Sequence, residues 1–290
     1  MLFFFFSLLD RPLPEQPSLP NFDRITLRQK ELDKSFGRVK PKTRRWRKQL
    51  EADKLALVKK VFAQSGKISD LPGAYCGNYD IQKLRPGQWM NDEVATFYGV
   101  MINMRSNKLE ELKLKKTKNG QKFLKAHCFN SFFINKYDDS GYEGVKRWSK
   151  KIDLFKKDVI IFPINIRNSH WTCAAINIKK KRFEFYDSMG NHNDSILAIL
   201  RDYIVNESKT KRNQELDVSD WSNFYHPAVP QQQNGFDCGI FVCQFMDCLS
   251  RDWGDGNDTI FDFDQSNMGY IRTKMVYEIA TKEFLDEEWK

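Results

Sequence analysis

The segment Pro230-Gln-Gln-Gln-Asn-Gly-Phe-Asp-Cys-Gly239 has the pattern of a loop that runs directly into a helix. Its Asn-Gly pair at 234–235 is a turn signal. Apolar residues follow at helical spacing: Phe241, Val242, Phe245, Met246 and Leu249. Cys238 is therefore predicted to lie at a helix N-terminus, where free backbone N–H groups and the helix dipole favour the nucleophilic thiolate. From this segment alone, a buried cysteine that only fills space is the alternative.

The other five cysteines show no spacing typical of a metal or disulfide site. Cys243 and Cys248 follow Cys238 at intervals of five, and each interval turns a helix by about 140° net, so the three thiols cannot share one face. The remaining three also lack metal-ligand spacing: Cys76, Cys128 and Cys173. We therefore predict reduced thiols, five of them packing residues, and no metal ion or other cofactor.

A thiol nucleophile needs a base, and the sequence offers four histidines. His170 is predicted to begin a strand, followed by Trp171, after a break in the pattern at 167–169. The other three are easier to explain as surface or structural side chains: His127, His192 and His226. His170 is thus the candidate general base.

Asp187 closes the next predicted strand. If Lys179–Lys181 form the hairpin turn, residues whose numbers sum to about 360 face each other, and Asp187 lies opposite residue 173. His170 is then about three positions away, which permits a contact with Asp187 but does not require one. A turn residue that merely ends the strand is the alternative interpretation of Asp187.

Gln232 lies six residues before Cys238. Its carboxamide is a candidate donor to the oxyanion that forms during acyl transfer. Three consecutive glutamines, at 231–233, leave open which of them has this role.

The net charge of the chain comes from its N-terminal part. The 290 residues contain 47 Lys/Arg and 38 Asp/Glu, a net charge of +9. The stretch 23–60 alone holds 14 Lys/Arg and 5 Asp/Glu, so the rest of the chain is balanced. A balanced body disfavours a nucleic-acid-binding domain, which needs a basic face. A mean hydropathy of −0.61, with no apolar run near 18 residues, disfavours a membrane span.

We predict a basic, partly disordered arm over 1–48 and a folded domain over 49–290. Four prolines within 12–22 give the arm a linker composition, and the apolar stretch 1–9 lacks the basic region and cleavage site of a secretory signal. The densest basic run, 40–48, is typical of a nuclear-import signal or a phosphate-contacting patch. An ordinary solvated stretch fits it equally well.

The folded domain shows helical patterns near both ends and strand patterns between them. Apolar residues recur at helical spacing in five stretches: 48–62, 91–104, 195–205, 240–249 and 267–285. Three stretches are rich in β-branched and aromatic residues: 158–166, 171–178 and 182–186. The lysine-rich stretch 108–125 is predicted to be an exposed excursion. This order predicts an α+β domain with a mixed sheet.

Six motifs occur in order along the chain: Trp89-Met-Asn-Asp92, Phe129-Asn-Ser-Phe-Phe133, Gly144-Val-Lys-Arg-Trp148, Ser169-His-Trp171, Phe185-Tyr-Asp-Ser188 and Gln232-Gln-Asn-Gly-Phe-Asp-Cys-Gly239. Together they resemble the ubiquitin-like-protein-specific cysteine proteases, also called sentrin or SUMO proteases. The resemblance covers roughly 50–290, and it implies that the domain over 49–290 is a cysteine protease catalytic domain. The implied fold is papain-like: a central mixed sheet flanked by helices, with the nucleophile at a helix N-terminus.

Carried over residue by residue, the resemblance makes Cys238 the nucleophile, His170 the general base, Asp187 its orienter and Gln232 the oxyanion donor. The implied substrate-binding residues fall into two groups. Trp89 and Trp171 match two tryptophans that form a narrow tunnel around the Gly-Gly end of the modifier, where flat indoles reject residues with side chains. Three more match positions that contact the body of the modifier: Asp92, Phe132 and Trp148. Asp92 is expected to pair with an arginine there.

The implied activity is cleavage after the C-terminal Gly-Gly of SUMO, both in the precursor and in SUMO-conjugated proteins, without a cofactor. Two alternatives stay open: a protease for another ubiquitin-like modifier, such as a deneddylase, and a non-catalytic module that binds the modifier. Met90 replaces the usual leucine, a volume-conserving change. The arm matches nothing in the pattern. A nuclear location, with a nuclear-import or nuclear-pore partner bound through the arm, is therefore an expectation from its basic run alone.

Overall fold

The computed structural model describes residues 48–113, 122–254 and 258–285. Its helices are α1 Ala52–Ala63, α2 Asn78–Gln82, α3 Asp92–Glu111, α4 Phe133–Val145, α5 Asp194–Arg212, α6 Cys238–Leu249 and α7 Met268–Thr281. Its strands are β1 Lys67–Leu71, β2 Ala74–Gly77, β3 Ala126–Cys128, β4 Val159–Ile166, β5 His170–Asn177, β6 Arg182–Tyr186 and β7 Ser222–Tyr225. Apart from Lys48, the predicted arm lies outside the described residues, as does the middle of the predicted excursion at 108–125.

The central sheet has five strands in the order β3-β4-β5-β6-β7. The two outer pairs, β3 with β4 and β6 with β7, are parallel, whereas the central strand β5 is antiparallel to both of its neighbours, β4 and β6. The sheet is therefore mixed, as predicted. A separate hairpin of β1 and β2 lies before α2 and α3 along the chain.

The two faces of the sheet bury different helices, because side chains alternate along each strand. Odd-numbered residues of β4 and β5, such as Ile161 and Cys173, share a core with α6. Even-numbered residues, such as Phe162 and Ala174, pack in a second core with α4 and α5. All twelve residues of α6 are buried, so this helix is fixed against the sheet along its whole length.

The candidate site residues lie at the ends of two strands and at the start of α6. Strand β5 begins at His170, α6 begins at Cys238, and Asp187 directly follows the last residue of β6. The loop between β5 and β6 has one residue more than predicted, since Asn177 pairs with Arg182 and Cys173 with Tyr186. The prediction that Asp187 faces residue 173 is therefore wrong by one position. The observed register puts Asp187 level with residue 172, one residue closer to His170.

Several elements are longer than their local pattern, or were missed. Helix α3 continues past Met104 to Glu111, and α5 continues past Val205 to Arg212. The last helix ends earlier than predicted, at Thr281, because Lys282 takes up a left-handed conformation with φ of 60°. Six elements were not predicted from the sequence: β1, β2, α2, β3, β7 and α4, the last of which is kinked at Gly141. None of the helices within the described ranges has both the length and the apolar character needed to cross a bilayer.

Candidate active site

Cys238 is the first residue of α6, and it is only 3% exposed. The first N–H groups of a helix have no partner within the helix. The loop that precedes the helix is fixed by Asn234, whose Oδ1 accepts from the backbone N–H groups of Phe236 and Asp237. The sulfur therefore sits on a rigid loop-to-helix junction, at the positive end of the helix dipole.

His170 lies between a carboxylate and this sulfur. Its Nε2 is 2.7 Å from Asp187 Oδ1, so the contact that the strand spacing permits is present. Burial of the ring opposes its charge, but the hydrogen bond to Asp187 and the interaction with Cys238 outweigh that effect and raise the pKa of His170 to about 10. Nδ1 is buried and has no hydrogen-bond partner among the described residues. Since Asp187 occupies Nε2, Nδ1 is the nitrogen left for the sulfur.

Asp187 is itself held by two further donors. Its Oδ1 also accepts from the backbone N–H of Met189 at 2.7 Å, and its Oδ2 accepts from Asn191 Nδ2 at 2.9 Å. The carboxylate is 3% exposed. Asn191 was not predicted to take part, and its only signal in the sequence is its place in the turn that follows Asp187.

The structure singles out Gln232 among the three glutamines. Gln232 is completely buried, whereas Gln233 is exposed. Gln232 Oε1 accepts from Ser188 Oγ at 2.6 Å, and Nε2 donates to the backbone oxygen of Asn234 at 2.6 Å. With both ends of the carboxamide fixed, the second hydrogen on Nε2 is the one that remains for an oxyanion. Ser188, which directly follows Asp187, thus holds Gln232 and was missed in the sequence.

Trp171, and Met90 next to Trp89 in the chain, both pack against the start of α6. Trp171 is buried and donates from Nε1 to the backbone oxygen of Met90 at 3.1 Å, which anchors it beside Trp89. Trp89 is 38% exposed. A Cβ at Gly239 would lie 2.7 Å from Met90 Cβ and 3.3 Å from Trp171 Cδ1, so glycine is the residue that permits this close approach.

The three residues expected to contact the body of a modifier lie on neighbouring surface segments. Asp92, the first residue of α3, accepts a hydrogen bond from Ser131 Oγ at 2.6 Å. Phe132 follows directly and is 53% exposed, as an anchor for a partner requires. Trp148 is half-buried, with its ring edge-on to Phe133 at 5.5 Å between ring centres. Trp148 also lines a surface cavity that has a cationic side: Arg147, Lys150 and Lys151.

The remaining histidines and cysteines have other surroundings. Burial, together with the nearby Lys157, lowers the pKa of His127 to about 4. His192 stacks on Tyr225, and His226 accepts from the backbone N–H of Ala228. The five predicted packing cysteines are all buried, and burial raises the pKa of four thiols well above the usual value: Cys76, Cys128, Cys173 and Cys243. Within the described ranges, no group of three or more His, Cys, Asp or Glu could hold a metal ion.

Comparison with known families assigns the chain to one of them. Residues 88–284 match the model of the Ulp1 protease family, C-terminal catalytic domain. The chain belongs to the Ulp1 protease family. Every candidate site residue, from Trp89 to Cys238, lies inside the matched region. The predicted membership is thereby confirmed.

Relatives and solved structures of the Ulp1 family agree with this assignment. The chain is 37% identical over 206 residues to a sentrin-specific protease of Caenorhabditis elegans. This match covers 71% of this chain and 27% of the relative. It is 38% identical over 208 residues to sentrin-specific protease 2 of Homo sapiens, a match that covers 71% of this chain and 32% of that protein. The chain thus spans about a third or less of the length of these curated relatives.

Two Ulp1 structures show the same fold. The C-terminal Ulp1 protease domain in complex with Smt3, the yeast ortholog of SUMO, superimposes with a TM-score of 0.65 at 29% identity, covering 80% of this chain and 96% of that one. The SUMO protease Ulp1 with its catalytic cysteine oxidised to a sulfonic acid gives a TM-score of 0.64 at 29% identity, covering 81% and 97%. The predicted α+β papain-like fold is confirmed.

Proposed function

We propose that this chain is a thiol protease that cleaves after the C-terminal Gly-Gly of SUMO, in the precursor and at isopeptide bonds to substrate lysines. One observation carries the proposal: in a chain of the Ulp1 family, His170 is bonded to Asp187 and faces Cys238 at the start of a buried helix. A module that only binds the modifier has no need of this arrangement.

The geometry supports a two-step acyl transfer. The Cys238 thiolate attacks the carbonyl carbon of the terminal glycine, and the electron pair of the C=O bond moves onto oxygen. Gln232 Nε2 and N–H groups at the start of α6 stabilise this oxyanion. When the oxyanion collapses, the C–N bond breaks and His170 gives its proton to the departing lysine amine. Water then attacks the thioester while His170 accepts a proton, which releases the SUMO carboxylate and the Cys238 thiolate.

The surroundings of the nucleophile support the choice of a Gly-Gly substrate. Trp171 is tied to Met90, and Gly239 lets both approach the start of α6 closely. A substrate chain that passes between Trp89 and Trp171 must be narrow, and glycine is the only residue without a side chain to collide with an indole. In this proposal Asp92, Phe132 and Trp148, which lie on neighbouring surface segments, contact the body of the modifier.

The test uses the purified chain with three substrates: a SUMO precursor, a SUMO isopeptide conjugate, and the precursor of the modifier that deneddylases act on. We expect cleavage of both SUMO substrates directly after Gly-Gly, and none with Cys238→Ala. Cys248→Ala, in the same buried helix, is the matched control and keeps the activity. Full cleavage by Cys238→Ala would refute the catalytic role, and cleavage of only the third substrate would replace SUMO by another modifier.

We also propose that the arm over 1–48 directs the protein to the nucleus through an import or nuclear-pore partner. The support is the basic run at 40–48, which lies within the stretch 23–60 that carries the whole net charge of the chain. Deletion of 1–48 is expected to move a fluorescent fusion out of the nucleus and to leave turnover of a soluble SUMO substrate nearly unchanged. An unchanged location would contradict this proposal without affecting the proposed enzyme activity.

A further inference from the structure

Asp237 occupies the N-cap position of α6 but does not cap the helix. Aspartate is favoured at this position because its side chain normally accepts from an N–H of the first turn. In this part of the structure, no such hydrogen bond to Asp237 is present, and its backbone has helical φ and ψ of −91° and −3° in place of the usual extended conformation. The first N–H groups of α6 are therefore not consumed by the residue that precedes Cys238.

The carboxylate of Asp237 is bound by three residues that lie outside α6: Asn234, Gln265 and Arg272. Its Oδ1 accepts from Arg272 Nε at 2.9 Å and from Nη2 at 2.7 Å. Its Oδ2 accepts from Asn234 Nδ2 at 2.7 Å and from Gln265 Nε2 at 2.8 Å. The Asp237 and Arg272 side chains are each 3% exposed, so the ion pair is screened little by solvent.

Arg272 also connects two segments that flank the nucleophile. Besides Asp237, its guanidinium donates to four backbone oxygens: those of Lys83, Arg85, Gln88 and Phe236. The first three belong to the segment that leads to Trp89, and the fourth belongs to the loop that leads to Cys238. A planar fork of five N–H donors is suited to hold such a set, whereas an ammonium group is not.

We infer that Arg272, from helix α7, is a positioning residue for the Cys238 chemistry. By binding Asp237 it keeps the carboxylate off the first turn of α6, so that the free N–H groups face the sulfur and the oxyanion. Its positive charge also offsets the negative charge of Asp237, the residue before Cys238. Without this offset, Coulomb repulsion from Asp237 would disfavour the Cys238 thiolate. Among the described residues, the charged groups connected to this sulfur besides Asp237 are His170 and, through its Nε2, Asp187, and both belong to the proposed mechanism. The inference rests on the proposed function only in that the reaction needs a thiolate.

The test measures the rate at which iodoacetamide alkylates Cys238 as a function of pH, with the site identified by mass spectrometry. Because alkylation needs no modifier, its outcome is independent of whether the chain cleaves SUMO. For Arg272→Gln we expect the midpoint of the rate profile to move about one pH unit to the alkaline side, which slows alkylation about tenfold near neutral pH. The double variant Arg272→Gln/Asp237→Asn removes both charges, and its midpoint is expected to return to that of the wild type.

Two further variants separate charge from packing. Lys282→Gln removes one exposed positive charge just after the same helix and is expected to leave the midpoint in place. Arg272→Lys keeps the charge but loses the fork. Its midpoint is therefore expected to match the wild type, while KM for a SUMO substrate rises because the segment before Trp89 is released.

Asp237→Asn keeps the test decisive if Arg272→Gln does not fold. It leaves the buried guanidinium of Arg272 without its carboxylate partner at the residue next to Cys238, so the midpoint is expected to move to lower pH. The inference is overturned if Asp237→Asn moves the midpoint to higher pH or leaves it in place. It is equally overturned if folded Arg272→Gln shows no alkaline shift, or if the double variant, folded by circular dichroism, does not reverse that shift.

Discussion

His170 Nε2 lies 2.7 Å from Asp187 Oδ1, although His170 begins β5, Asp187 directly follows β6 and the two residues are 17 positions apart. The β5–β6 hairpin creates this contact, because its register places the end of β6 near the start of β5. A carboxylate on Nε2 keeps the proton of the neutral ring at that nitrogen. Nδ1 then remains free to take the proton of Cys238.

Replacement of the orienting carboxylate tests this tautomer. In Asp187→Asn the amide can donate to Nε2 and favour the wrong tautomer, so we expect kcat to fall by roughly 10²–10⁴-fold with little change in KM. Asn191→Ala removes only the donor to the second oxygen, and its effect is expected to stay below about tenfold. Steady-state kinetics on a SUMO substrate measures both, and an Asp187→Asn enzyme within a few-fold of the wild type would contradict the role of Asp187.

The raised pKa of His170 predicts a pH-dependent stability. The Cys238→Ala background removes the thiol, so that Asp187 is the partner that raises the imidazole pKa. A histidine whose pKa is raised on folding contributes stability that is complete below about pH 6.5 and is lost as the pH rises through the folded-state pKa. His170 has a pKa of about 10 with Cys238 present, and in this background the upper limit is lower.

Urea unfolding measures this contribution. We expect the difference in unfolding free energy between Cys238→Ala and Cys238→Ala/His170→Gln to decrease above pH 6.5, by at most about 1.4 kcal/mol per pH unit. Subtraction of the two variants cancels the other titrating groups. A difference that does not change between pH 6 and 9 would show that folding does not raise the pKa of His170.

Close packing at the start of α6 predicts that Gly239 cannot be replaced by a larger residue without loss. In Gly239→Ala the added methyl would lie 2.7 Å from Met90 Cβ, so we expect a loss of about 1–3 kcal/mol of stability and a strong loss of activity as Met90 and Trp171 move. Gly269→Ala, near the start of α7, has no neighbouring atom within 4 Å and is expected to be neutral or stabilising by up to about 1 kcal/mol. Thermal unfolding and turnover rates of both variants measure this difference. Equal losses of stability and activity in Gly239→Ala and Gly269→Ala would contradict the prediction.

The bond between Ser188 and Gln232 predicts a coupled pair. Loss of an oxyanion donor in Gln232→Ala is expected to lower kcat by roughly 10²–10³-fold. Ser188→Ala leaves the carboxamide present but free to rotate, so a fall of about tenfold is expected. In a double-mutant cycle, the double variant should be no slower than Gln232→Ala alone. If the loss of kcat in the double variant were instead the product of the two single losses, Ser188 would act independently of Gln232.

Local patterns in the sequence predict the elements that carry the site but not the contacts within it. The period of the apolar residues after Gly239 predicts α6, and the β-branched runs predict β4, β5 and β6, because these signals lie within one element. The register of the hairpin depends on one extra loop residue, which no periodicity reveals. Helix α4 was not predicted either, and its kink at Gly141, where φ is 58°, is a feature of the backbone that the apolar pattern does not reveal.

The supporting residues were missed for a different reason. Asn191 and Ser188 act through contacts made by the folded turn after β6, and Arg272 lies 34 positions beyond Cys238 on another helix. Nothing in the local sequence of Arg272 distinguishes it from a surface arginine. Asp237 has the sequence signature of an ordinary N-cap, and only the structure shows that its carboxylate is bound elsewhere.

A SUMO vinyl-sulfone probe, followed by intact mass and peptide mapping, tests the central claim most directly. We predict a single thioether at Cys238, formed much more slowly by His170→Ala, and no comparable adduct with the probe for deneddylases. An adduct at any other cysteine, or a folded protein that the SUMO probe does not label, would contradict the account.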